Sequence, residues 1–482
     1  VNPTIPAERP IDEATLLAAF PHPLGATAAE VAERVAASGR VLVVLDDDPT
    51  GTQSVADLPV LTRWERADLV WALGRGAAAV YVLTNTRSLD AATAAERNRE
   101  VVRSAVAAAA EVGVAVAFVS RSDSTLRGHF PLETDVIAET LAETGAPRPD
   151  GVLIVPAFPD AGRVTIGGVH YMRGEGGLTP VAETEFANDA TFGFVSSDLR
   201  DYVAEKTGGA IPAERVLALT LDVIRSGPEA VAGLLRRAAD ATPIVVDVVE
   251  ESDMRVVALG LEIVEGEGRS FLYRVGPPFV RARIGQAVRA PLTEVEVFAE
   301  VTPNDRGGLV VVGSHVGLTS RQLARLQHDR PGTAVAEIDV NAVIEGDREA
   351  ELAKVVDAAV AALATGDVIV HTSRLLVRTD DPEASLDISR RVSAAVVEVV
   401  QRVLAAAPPR FVIAKGGITS SDVAAFGLAI RHAIVRGPML PGIVSLWQPV
   451  DGPAQGIPYI VFAGNVGDDD SLSAVVATLS RD

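Results

Sequence analysis

The stretch Val41-Leu42-Val43-Val44-Leu45-Asp46-Asp47-Asp48-Pro49-Thr50-Gly51 decides how the chain is read. Five apolar residues run into three consecutive aspartates and then into turn residues. A continuous apolar run ended so abruptly is the pattern of a strand buried on both faces of a parallel sheet. Open α/β sheets bind ligands just beyond the carboxyl ends of their strands, and Asp46, Asp47 and Asp48 fall there. Acidic loops also cap strands with no further role. Three adjacent carboxylates repel one another, however, and that cost favours a functional reading.

Outward from this strand the pattern repeats. Strand-like runs at Val80–Leu83, Val114–Ser120 and Gly151–Val155 alternate with helical patterns near Arg66–Arg75, Thr93–Glu111 and Glu133–Thr144. Such alternation implies crossover connections and a mainly parallel sheet. Residues Ala157 to Asp198 break the rhythm with glycines, aromatics and polar residues, and a loop that long is usually functional. After Gly276 the pattern dissolves into Gly-Pro-Pro and charged residues, and a second βα series runs from Leu309 to the end. The expected division is a leader segment 1–40, an N-terminal domain 41–290 and a C-terminal domain 291–482. The fold class expected is α/β, two domains each with a mainly parallel sheet flanked by helices, with the active site in the interdomain cleft.

Composition narrows the function classes. The 482 residues carry a formal net charge of −21, with 48% hydrophobic residues and no cysteine. Acidity of this size argues against nucleic acid as a partner, because phosphate backbones need a basic surface. Without cysteine there are no disulfides, no thiol catalysis and no Cys-ligated zinc. No apolar run approaches the roughly 20 residues of a membrane span, and no signal-peptide pattern is visible near the N-terminus. A cytoplasmic protein without membrane partners is expected. Lysine occurs three times, at Lys206, Lys354 and Lys415.

The chemistry-bearing residues of the first half follow strand ends. These are Thr84 to Ser88, Ser120 to His129, and Pro156 to Arg163. Arginines suit two-point contact with a carboxylate, and aspartates and hydroxyls suit hydroxyl groups. The mixture fits a small polyhydroxy acid. The competing structural reading pairs Arg121 and Asp123 with Asp47 or Asp48 as a buried ion-pair network, and the two readings are compatible. His129 and His170 are candidate substrate donors, with a packed or surface histidine as the alternative for each. The second half carries glycine turns after strands: Gly313-Ser314, Lys415-Gly416-Gly417-Ile418-Thr419, and Gly464-Asn465-Val466-Gly467. Such turns gather backbone N–H groups and a helix N-terminus where an anion binds. No Walker A motif and no complete GxGxxG after a strand is present.

Together these segments resemble the four-carbon acid sugar kinase family. Its Asp-Asp-x-Thr-Gly matches Asp47-Asp48-Pro49-Thr50-Gly51, and its Lys-x-Asp-Ser-Thr-x-Arg-Gly matches Arg121 to Gly128 with arginine in place of lysine. Its Gly-Gly-x-Thr-Ser matches Gly416 to Ser420. A late Lys-Ser-Gly-Asn-Phe-Gly reads Phe462-Ala463-Gly464-Asn465-Val466-Gly467, so its lysine is missing, and Lys415 is a candidate to supply the charge.

The resemblance implies an ATP-dependent kinase, with Mg²⁺, that phosphorylates a terminal hydroxyl of a small sugar acid or 3-oxo acid. Asp47 and Asp48 are the expected catalytic residues. Thr50, Gly51, Arg121, Asp123, Ser124, Arg127 and His170 are expected at the substrate. Ser314, Lys415, Gly416, Gly417, Ile418, Thr419, Gly464 and Asn465 are expected at the nucleotide. A dedicated metal-ligand set is not identified, and a homodimer is the expected assembly. The competing class is a non-catalytic metabolite sensor or interaction protein of the same fold.

Overall fold

The computed structural model describes residues 10–373 and 382–481. The chain forms two compact units. The first comprises Val1–Asp47 and Trp64–Val288, and the second Asp48–Arg63 and Arg289–Asp482. The segment 48–63, assigned by sequence to the N-terminal domain, therefore belongs to the second unit.

The first unit is built on seven parallel strands. Their order is Ala79–Leu83, Arg40–Asp46, Ala115–Arg121, Phe271–Val275, Gly151–Val155, Thr242–Val246 and Leu217–Leu219. Val41 to Leu45 are all buried, as a strand covered on both faces requires. The strand Phe271–Val275 was not expected, because Arg274 interrupts its apolar run. The expected long loop folds in part into an antiparallel ribbon of Arg163–Ile166, Val169–Gly174 and Gly177–Pro180.

The expected leader is not a separate element. Its helix Ala28–Ser38 starts with a capping box between Thr27 and Glu30, and its Val31 and Val35 pack with Ala258 of the same unit. Residues 1–9 of that segment lie outside the described residues.

The second unit has five parallel strands, in the order Ala334–Ile338, Val368–Thr372, Leu309–Val312, Val412–Lys415 and Tyr459–Phe462. Three antiparallel strands continue the sheet: Ser445–Pro449, His432–Pro438 and Leu58–Leu61. The last of these comes from the 48–63 segment. Thr52 from the same segment accepts from Trp447 Nε1 at 2.8 Å. No helix among the described residues is long and apolar enough to cross a membrane.

Candidate functional site

Strand register sets the first cluster. Asp46 lies level with Leu83 on one side and Arg121 on the other, and Arg274 lies level with Ser120. The side chains that end these neighbouring strands therefore meet at one edge. Arg121 is buried, with its Nε bonded to Asp46 and a terminal nitrogen 3.3 Å from Asp47 Oδ1. Arg274 pairs with Glu133 and donates to Ser120 Oγ at 2.7 Å. Arg121, expected at a substrate carboxylate, pairs with Asp46 and Asp47; the ion-pair alternative named Asp47 or Asp48, and of these Asp47 is the partner found.

Asp47 differs from its neighbours. Its residue is 1% exposed, yet neither carboxyl oxygen has a hydrogen-bond partner. Burial raises its pKa, against the pull of Arg87 and Arg121. A carboxylate left in this condition is a ready proton acceptor. Gly128 sits against it at φ +124°, where a Cβ would come within 3.3 Å of Asp47 Oδ2 and 2.6 Å of an Arg274 nitrogen. Only glycine fits there.

Asp123 stands at the centre of an arginine group. Its carboxylate accepts from Arg127 Nε at 2.7 Å and lies 3.6 Å from an Arg87 nitrogen. Burial alone would raise its pKa, but Arg87 and Arg127 outweigh burial and hold it well below the usual carboxylate range. Arg163 also feels both Asp123 and Arg127. Three guanidinium groups thus act on one carboxylate, and a narrow pocket lined by Asp123, Arg127, Tyr202 and Arg274 opens beside them. Arg87 and Arg163 lay in the polar clusters of the sequence but carried no assigned role.

His170, expected at the substrate with a packed histidine as the alternative, has the packed arrangement. It is fully buried; its Nε2–H donates to Ser124 O at 2.8 Å, and its Nδ1 accepts from Thr165 Oγ1 at 3.0 Å. Burial lowers its pKa to about 4, so the ring is neutral. Both ring nitrogens are engaged in holding the loop. Tyr202 does the same for Leu126, donating to its carbonyl at 2.9 Å. Leu126 has φ +68°, a strained conformation that persists only under such restraint. Ser124 is itself buried, and its carbonyl serves the loop.

In the second unit Asp48 opens the short helix Pro49–Ser54. Its Oδ1 accepts from the Thr50 amide at 2.9 Å and from Thr50 Oγ1 at 2.6 Å. Gly51 is buried in that turn. The other oxygen of Asp48 faces the glycine pair: a Cβ on Gly417 would lie 3.1 Å from Asp48 Oδ2. Asp48, expected beside the sugar, is therefore placed at the Gly416-Gly417 turn.

Two of the three glycine turns of this unit are tied together through Thr319. Thr319 Oγ1 donates to Gly464 O at 2.8 Å, and it lies 3.3 Å from Ser314 Oγ. Asn465 and Ile418 are exposed. Lys415 is fully buried and donates to Ala463 O at 2.6 Å. Its ammonium lies 3.8 Å from the ring centroid of Phe462, its register partner on the next strand. Phe462 occupies the position where the resembling family carries lysine, and Lys415 lies beside it on the neighbouring strand. Burial lowers the Lys415 pKa to about 7, and no carboxylate pairs with it among the described residues.

Comparison with known proteins gives the family. Residues 42–283 match the model of a sugar-binding N-terminal domain, and residues 309–472 match that of a nucleotide-binding C-terminal domain. The chain belongs to the four-carbon acid sugar kinase family. It is 27% identical to a D-threonate kinase of Salmonella typhimurium over 89% of this chain and 96% of that one. It is 30% identical to a D-erythronate kinase of Heliobacterium modesticaldum over 48% of each chain. A solved structure from Salmonella typhimurium LT2 shares the fold with a TM-score of 0.65 at 17% identity, covering 90% of this chain and 98% of that one.

Proposed function

We propose that the protein is an ATP-dependent kinase that phosphorylates a terminal hydroxyl of a small sugar acid or 3-oxo sugar acid. It is a phosphotransferase with an alcohol acceptor, as its relatives named D-threonate and D-erythronate kinase are. The observation that carries the substrate class is the arginine group of Arg87, Arg127 and Arg163 around Asp123. Asp189 lies 3.8 Å from Arg127 and Asp47 shares the pull of Arg87, so what supports the reading is the guanidinium fork, whose planar donors suit the carboxylate of a ligand.

Asp47 is proposed as the group that orients or deprotonates the attacking hydroxyl. Its oxygens lack hydrogen-bond donors, and a substrate hydroxyl would supply one. Arg87 acts on both Asp47 and Asp123, linking the base to the carboxylate-binding corner. The Ser314, Gly416 to Thr419, and Gly464 turns are proposed to hold the nucleotide phosphates, with Lys415 replacing the family's late lysine.

Among the described residues no cluster of three or more metal-ligating side chains occurs. Mg²⁺ arriving on nucleotide phosphates needs only one or two carboxylates, and Asp48 at the Gly417 turn fits that role. When bound, the ion neutralises phosphate charge. Transfer itself then depends on positioning and charge stabilisation. A cytoplasmic location and a homodimer are part of the same proposal.

The test is an ATP-consumption screen over four- and five-carbon sugar acids, with the product identified by mass. A phosphorylated sugar acid supports the reading; no ATP consumption with any of them sinks it.

A further inference from the structure

The second unit contains a pocket of about 230 Å³ that adjoins the glycine turns. Val392, Val396 and Ile418 are among its lining side chains, and so are Gly313 and Thr419 from two of the glycine turns. Sites that enclose a whole drug-sized ligand run to ~300–1,000 Å³. This pocket is too small for a nucleoside triphosphate but adequate for a base and its sugar. Aliphatic walls do nothing for phosphate, and they suit the faces of a heteroaromatic ring. Ile418 is 60% exposed, an apolar surface at the pocket that an incoming ring would cover.

One carboxylate stands among these apolar groups. Asp422 is half-buried and accepts from Ser393 Oγ. Burial raises its pKa, and the Ser393 bond opposes the rise only in part. A carboxylate offers about four acceptor positions, so capacity remains for further hydroxyl donors. The helix Gly417–Asp422 also changes geometry directly after this residue, into a π-helical turn over Val423–Gly427. Such turns make up well under ~1% of residues and occur frequently at functional sites.

We propose that this pocket takes the nucleoside part of the nucleotide, with the base against Val392, Val396 and Ile418 and the ribose hydroxyls donating to Asp422. The inference rests on the reading that this unit binds a nucleotide. It adds where the base lies and which residue requires a ribose.

The experiment titrates the full chain with MgATP, its 2′-deoxy and 3′-deoxy analogues, and magnesium tripolyphosphate, all by calorimetry. The wild type is expected to bind ATP at least tenfold more tightly than tripolyphosphate, and more tightly than either deoxy analogue. Asp422→Ala should abolish the preference for ribose while leaving tripolyphosphate binding unchanged. Val396→Phe should weaken ATP tenfold or more, again with tripolyphosphate unchanged, which also shows that the variant is folded. If Val396→Phe does not fold, Asp422→Ala alone decides. A ribose preference that survives Asp422→Ala overturns the assignment. If ribonucleotide binding depends on Asp422 but no sugar acid is phosphorylated, the kinase reading falls and the pocket assignment stands. If neither ATP nor tripolyphosphate binds, both fall.

Discussion

The two units prepare their sites in opposite ways. At the strand ends of the first, charge is concentrated and mostly paired: Arg121 with Asp46 and Asp47, Arg274 with Glu133, Arg127 with Asp123. The second relies on glycine turns and on one buried lysine whose partners are a carbonyl and an aromatic ring. A buried ion-pair network fixes the directions of its members and leaves selected groups, such as Asp47, without hydrogen-bond donors. Backbone turns with a lone cation await charge from the ligand. The first arrangement suits discrimination of a small acid's shape, the second a phosphate chain whose position matters more than its identity.

Asp47→Asn gives the sharpest break of that contrast. Loss of a general base costs about 10²–10⁴-fold in turnover, while ATP affinity measured by calorimetry should not change. Wild-type turnover should also fall with acid at a pH above the ordinary carboxylate range, because the raised Asp47 pKa protonates the base there; a pH–rate profile checks this.

Arg121→Met should act on stability. It leaves Asp46 and Asp47 buried without their cation, and breaking such a pair costs about 3–5 kcal/mol. Denaturant unfolding would show it, and a loss below about 1 kcal/mol would contradict the network's role.

Arg127→Ala should raise KM for the sugar acid by roughly 10–100-fold, the equivalent of one charge-assisted hydrogen bond of ~1.5–3 kcal/mol, without moving KM for ATP. Equal effects on both would erase the division of labour between the units.

Lys415→Met should weaken ATP about tenfold, yet stabilise the fold. Between pH 7 and 10.5 the unfolded chain holds a proton that folded Lys415 has lost, so stability rises with pH across that window. Below about pH 7 both states are protonated and the folded protein carries the full cost of burying the charge. The variant should therefore melt above the wild type near pH 6, with the gap closing toward pH 10.5. Unchanged ATP affinity would remove Lys415 from the phosphate site.

Much of the frame was legible because buried parallel strands are continuous apolar runs, and their ends carry the polar clusters. The strand-end segments that hold Asp47, Asp123 and Arg127 were legible in this way, as were the glycine turns. What escaped depended on residues distant in the chain. Arg121 and Asp46 are 75 residues apart, and nothing local distinguishes an arginine that pairs internally from one that meets a ligand. His170 reads as a donor until its two partners, Thr165 and Ser124, are seen. Asp422 and Ser393 carried no signal, since a pocket wall shared between two helices has no local pattern.

The sequence by itself determined the βα rhythm, the edge at which the polar residues gather and the family, because periodicity and turn chemistry are local. It did not determine which charges are already satisfied. Tertiary structure decided that Arg121 is spent on Asp46 and Asp47, that Asp48 faces the Gly417 turn, and that Lys415 stands over Phe462. The reason is physical: Coulomb attraction and the cost of burial depend on distance and on exclusion of water, and strand register sets both.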